Sequence, residues 1–80
     1  MNRYTYEFIS TCPINKENIS YKLTIETTET ILVEKLKQFL QEKHSKSFHE
    51  SIAQELACSF PGNQYLCANH HGVLIETWRS

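Results

Sequence analysis

Ile19-Ser20-Tyr21-Lys22-Leu23-Thr24-Ile25-Glu26 alternates apolar and polar side chains without a break. Ile19, Tyr21, Leu23 and Ile25 share one face, and Ser20, Lys22, Thr24 and Glu26 the other. A period of two in β-branched and aromatic residues predicts a half-buried strand. The same alternation precedes it, with Tyr4, Tyr6 and Phe8 facing one way and Arg3, Thr5, Glu7 and Ile9 the other. Ser10-Thr11-Cys12-Pro13 closes that earlier run, because proline cannot donate to a ladder and biases the residue before it. Asn15 to Asn18 is a polar turn, so the two runs read as a hairpin.

Towards the C-terminus the period changes. Leu32, Val33, Leu36, Phe39 and Leu40 recur at helical spacing, with charged and amide side chains opposite them. Thr28 or Thr30 can cap the start of this helix. The pattern breaks at His44-Ser45-Lys46, where His44 suits a helix C-terminus. Ser47-Phe48-His49-Glu50 has the S-x-x-E form of a capping box and opens a second helix. That helix carries Phe48, Ile52, Ala53, Leu56, Ala57 and Phe60, and stops at Pro61-Gly62. Tyr65-Leu66-Cys67-Ala68 and Val73-Leu74-Ile75-Glu76-Thr77-Trp78 are strands flanking a turn at Asn69-His70-His71-Gly72. The expected fold class is α+β in the order β-β-α-α-β-β, a four-stranded antiparallel sheet with both helices packed on one face. The other face is left open. Tyrosine and phenylalanine on the strands make it a candidate surface for homo-oligomer formation.

Eighty residues form a single domain over 1–80 with room for one core. A net charge of -1 gives no basic face for nucleic acid. Apolar runs such as Ile31-Leu32-Val33 are too short to span a bilayer. Met1-Asn2-Arg3-Tyr4 lacks the apolar core of a signal peptide, so the expected location is cytoplasmic. In that compartment the three cysteines, Cys12, Cys58 and Cys67, read as free thiols.

Four side chains carry the candidate chemistry. Cys12, at a strand end beside a proline turn, is either a thiolate nucleophile or a small apolar plug at the sheet edge. A nucleophile needs a nearby cation or metal to lower its pKa, a part that His49 could play. Glu50 can accept two parallel N–H bonds from a ligand, or close the capping box with Ser47. Glu34 reads equally as a solvated carboxylate. Cys67, His70 and His71 have a spacing that two zinc ligands could use, but no further ligands are marked. The histidines read as solvent-facing turn residues and no metal is assigned. No cofactor is assigned either.

Glu7-Phe8-Ile9-Ser10-Thr11-Cys12-Pro13 resembles an E-F-x-S-x-C-P stretch of 7-cyano-7-deazaguanine reductases, the nitrile reductases of queuosine biosynthesis. Val33-Glu34, running into Lys35-Leu36-Lys37-Gln38-Phe39-Leu40, is similar to the family's V-E segment, and Phe48-His49-Glu50 to its F-H-E. The pieces follow the family's order, within the element order of the tunnelling-fold superfamily. The resemblance implies a tunnelling-fold-like subunit with Cys12 as the covalent catalyst. It also implies a purine- or pterin-like ligand bound through Glu50, His49 and Glu34, with sites between subunits. Two parts of the family pattern are missing. Cys12-Pro13-Ile14-Asn15-Lys16-Glu17-Asn18-Ile19 has no aspartate in the place of the family's proton donor, and Glu34-Lys35-Leu36-Lys37 shortens its nicotinamide motif. The expectation is therefore ligand binding without full nitrile reductase activity. The alternative is a non-catalytic structural or interaction module.

Overall fold

Both predicted hairpins form, and the chain joins them edge to edge. The computed structural model describes residues 1–43 and 47–80. Strands β1 (Asn2–Thr11), β2 (Asn18–Thr27), β3 (Asn63–His70) and β4 (Val73–Arg79) make one sheet in the order β1-β2-β3-β4. Every neighbouring pair is antiparallel. Between β2 and β3 lie α1 (Val33–Gln38), a π-helical segment (Phe39–Lys43) and α2 (His49–Ser59). The fold is α+β, with the predicted order of elements. The break expected at His44-Ser45-Lys46, and the helix-terminal role of His44, lie outside the described residues.

The alternation that predicted β2 sets the sheet's orientation. Ile19, Tyr21, Leu23 and Ile25 are buried beneath the helices, together with Phe8, Leu66 and Ala68 from the flanking strands. Ile31 reaches this core from the loop before α1, Leu36 from α1, Leu40 from the π-helical segment, and Ile52, Ala53 and Leu56 from α2. Side-chain hydrogen bonds fix the layers together. The Tyr4 hydroxyl accepts from the Ile31 N–H at 3.0 Å, and the Tyr6 hydroxyl from Gln41 Nε2 at 2.9 Å. Gln64 Nε2 donates to the carbonyls of Leu56 (3.1 Å) and Phe60 (2.9 Å), holding the last turn of α2 over β3.

Several details depart from the sequence reading. Of the strand tyrosines and phenylalanines, Tyr4, Tyr6, Phe8 and Tyr21 face the covered side and Tyr65 alone faces the open one. Tyr6, Phe8 and Tyr21 stack on the covered side, with centroids 5.9 and 5.2 Å apart. The open face carries Tyr65 together with Trp78. Leu32 and Val33 match the helical period but stay exposed at 57% and 52%, because α1 begins only at Val33 with Leu32 as its N-cap. Neither Thr28 nor Thr30 caps it; Thr27 Oγ1 accepts from the Glu29 N–H at 3.1 Å and turns the chain earlier. The Ser47–Glu50 capping box is not formed, since α2 starts at His49 with Phe48 as N-cap. The Ser47 N–H is drawn instead to the buried Ser10 Oγ at 3.2 Å. The last hairpin turns on two residues, His71 (φ 52) and Gly72 (φ 85), the positive-φ pair of a tight primed turn. His70 therefore belongs to β3, not to the turn.

Candidate functional site

The end of β1 is where the chemistry gathers. β1 runs out at Thr11, and Cys12 follows as a half-buried thiol packed against the core. The Cys12 N–H donates to the Glu17 carbonyl at 2.8 Å and its carbonyl accepts from the Lys16 N–H at 2.9 Å, so the tight turn fixes its position. Tyr21, which faces Phe8 across the ladder, lies close enough to feel a Cys12 charge. Burial first, and that charge second, push the Tyr21 hydroxyl up to about 12. The Tyr21 ring packs at 5.5 Å from His49 and 5.9 Å from His70, and the two histidines are 5.8 Å apart. The Tyr21 hydroxyl and His70 Nε2 are 3.5 Å apart, long for a hydrogen bond.

His49 is the centre of this cluster and is buried, with 5% exposure. Nε2 is hydrogen-bonded to Thr77 Oγ1 at 2.9 Å. Nδ1 is buried and makes no hydrogen bond of good geometry, although the Leu66 carbonyl is near enough to favour the protonated ring slightly. Burial, and next the neighbouring His70, hold His49 below the usual imidazole pKa. A neutral ring held this way is a proton acceptor or a packing group, not a standing cation for Cys12.

The other predicted residues sit differently. Glu50, next on the helix, points outward and meets Arg79 Nη2 at 3.4 Å, with its side chain 77% exposed. It lines a depression of about 390 Å³ with Arg79 and Ser51. Glu34 is exposed in the first turn of α1. That turn follows Ile31, which is bonded to Tyr4, so it lies towards the far end of β1 from Cys12, on the order of 20 Å away. Tyr21 thus links Cys12 to His49, whereas Glu50 turns to Arg79, which lies level with Tyr4 through Gln64 and Ile25, so neither Glu50 nor Glu34 is gathered at the Cys12 end of the sheet. Tyr21 joins the cluster without having been singled out, and His70, weighed above only as a zinc ligand or a turn residue, joins it too.

The zinc spacing dissolves for a geometric reason. Cys67 and His70 are three residues apart on one strand, so they project from opposite faces. His71, in the exposed turn, contacts Asn15 Nδ2 at 2.7 Å and Glu17 at 3.4 Å. Among the described residues no group of His, Cys, Asp and Glu could hold a metal ion. Cys12, Cys58 and Cys67 are free thiols. No described helix is long and apolar enough to cross a membrane. Compared with family models, curated proteins and solved structures, the chain finds no match.

Proposed function

We propose that this chain is a tunnelling-fold-like ligand-binding protein related to 7-cyano-7-deazaguanine reductase. It takes a purine- or pterin-like heterocycle through Glu50 and the neighbouring His49, without full nitrile reductase activity. The observation that carries this reading is the hydrogen bond from the Ser47 N–H to Ser10 Oγ at 3.2 Å. It ties the Glu7–Pro13 stretch to the residue ahead of Phe48-His49-Glu50. Two stretches distant in sequence, each bearing the resemblance, therefore adjoin. Glu50 is held by one long contact to Arg79, so its carboxylate is free to accept the paired N–H groups of a heterocycle edge.

A thermal-shift screen with guanine, pterin and 7-deazaguanine compounds tests it. At about a hundredfold excess over Kd a bound ligand adds about 2.7 kcal/mol, on the order of 10 °C for a domain this small. The shift is expected to vanish in Glu50→Ala and to persist in Glu34→Ala. No shift with any compound, or equal shifts in both variants, sinks the proposal.

The second reading, a structural module, is favoured by the burial of His49 and its bond to Thr77. Thiol labelling separates the two on the point of covalent chemistry. Cys58 is exposed whereas Cys12 is half-buried, so exposure alone makes Cys58 the faster thiol. If Cys12 outruns it, the thiol is activated by its surroundings. If Cys12 trails, it has no role as a nucleophile.

A further inference from the structure

The sheet face that the helices leave open is concave and chemically mixed. Its larger depression has a volume of about 770 Å³ and an adjoining one about 480 Å³, and Lys22 lines both. The strand register sets Thr5 opposite Thr24, Thr24 opposite Tyr65, and Tyr65 opposite Trp78. One row therefore runs from two hydroxyls into two rings, whose centroids are 5.3 Å apart at an angle of 44°. Trp78 is 65% exposed, a large apolar area to leave in water.

Most charges around this row are already committed. Arg3 pairs with Glu26 at 2.9 Å, Arg79 reaches Glu50 at 3.4 Å, and Glu76 accepts from the Tyr65 hydroxyl. Lys22 is exposed at the centre of the face, opposite Glu7 in the ladder, and takes part in none of the ion pairs among the described residues. Its ammonium, outside any close ion pair, thus stands between Glu7 and an aromatic shelf. A depression of about 770 Å³ lined by rings and a few polar groups is of the size that takes a small ring-bearing molecule.

We propose that this open face binds a planar aromatic anion, its ring against Tyr65 and Trp78 and its charge on Lys22. In the ladder Lys22 pairs with Cys67, which makes Tyr65 its diagonal neighbour at about 7–8 Å. A lysine stem and a ring-borne carboxylate span that gap. Thr5 and Thr24 offer hydroxyls to further polar atoms of the ligand. The site lies on the opposite side of the sheet from Cys12, His49 and Glu50, so it stands or falls independently of the heterocycle site.

The ¹⁵N-labelled protein, titrated with 2-naphthoate and in parallel with the uncharged 2-naphthamide, reads the site directly, because Trp78 is the single tryptophan. Saturating shifts are expected at the Trp78 indole N–H and at the amides of Thr24 and Tyr65. The anion should bind about tenfold more tightly than the amide. Lys22→Gln should erase that difference and Lys37→Gln, on α1, should keep it. Equal affinities for the two probes overturn the proposal, as do shifts centred on the helices. So do shifts at the same residues that follow protein concentration without a probe, the mark of a second copy on this face.

Discussion

Gly62→Ala is expected to lower the unfolding free energy by about 4 kcal/mol, against about 1 kcal/mol for Gly72→Ala. Both glycines have positive φ, +100° and +85°, so backbone strain is common to the two substitutions. Overlap is not. A Cβ on Gly62 would sit 2.4 Å from the Glu26 carbonyl oxygen and 2.7 Å from Thr27 Cβ, at the end of β2. Those atoms belong to a strand paired on both sides and cannot retreat without disturbing its register. A Cβ on Gly72 meets nothing within 4 Å. A domain of this length is stable by about 4–12 kcal/mol, so the first variant is close to unfolding and the second remains folded. Urea denaturation of the two proteins measures the difference. Equal costs would mean that the corner from α2 into β3 is looser than its geometry implies.

That corner illustrates how far the sequence could be read. Pro61-Gly62 is legible as a helix stop, because proline and glycine act locally. The pressure of Gly62 on Glu26 and Thr27 is not, because it joins residues far apart in the chain. The strands were legible for the same local reason: alternation in β1 and β2 survives folding unchanged. Helix starts were not. Ser47 and Glu50 have the spacing of a capping box, but Ser10 Oγ accepts the Ser47 N–H and Arg79 attracts Glu50, so tertiary partners outbid the local bond. Buried Gln64 left no pattern at all. One amide on the apolar face of a strand gives no sign that it will hold two helix carbonyls.

The site was legible in part, and one miss had a readable cause. Taking Asn69-His70-His71-Gly72 as a turn removed His70 from the strand. Its parity with Leu66 and Ala68 would otherwise have sent it to the covered face, towards Tyr21. Tyr21 itself was visible as a core residue from its parity with Leu23. Its place beside Cys12 depends on the turn that returns β1 onto β2, and periodicity does not report that. Cys12 and Glu50 came from short motifs, which mark positions without their surroundings. The burial of His49 became apparent only with α2 laid over β4.

His49→Ala should cost about 3 kcal/mol at pH 7.5 and should also flatten the response of stability to acid. The cost has two sources: the space left among Tyr21, His70 and Thr77, and the Thr77 hydroxyl deprived of its partner. The acid response follows from the direction of the His49 shift. Its folded-state pKa lies below 6.5, pushed down by burial, then by His70 and to a lesser degree by Arg79, against weaker support from Glu50 and the Leu66 carbonyl. The unfolded chain therefore takes up the proton first. Stability from this group is complete above the unfolded pKa and is lost as pH falls through the folded one. A single proton limits the slope to about 1.4 kcal/mol per pH unit. Melting temperatures between pH 7.5 and pH 5.5 isolate the effect, since carboxylates titrate lower. The wild-type protein should lose stability across that window and His49→Ala should not. His71→Gln, in the exposed turn, should keep the wild-type slope, because its pairing with Glu17 is solvent-screened. If His49→Ala is neutral and retains the slope, the imidazole is not part of the core, and the heterocycle site gains a movable histidine beside Glu50.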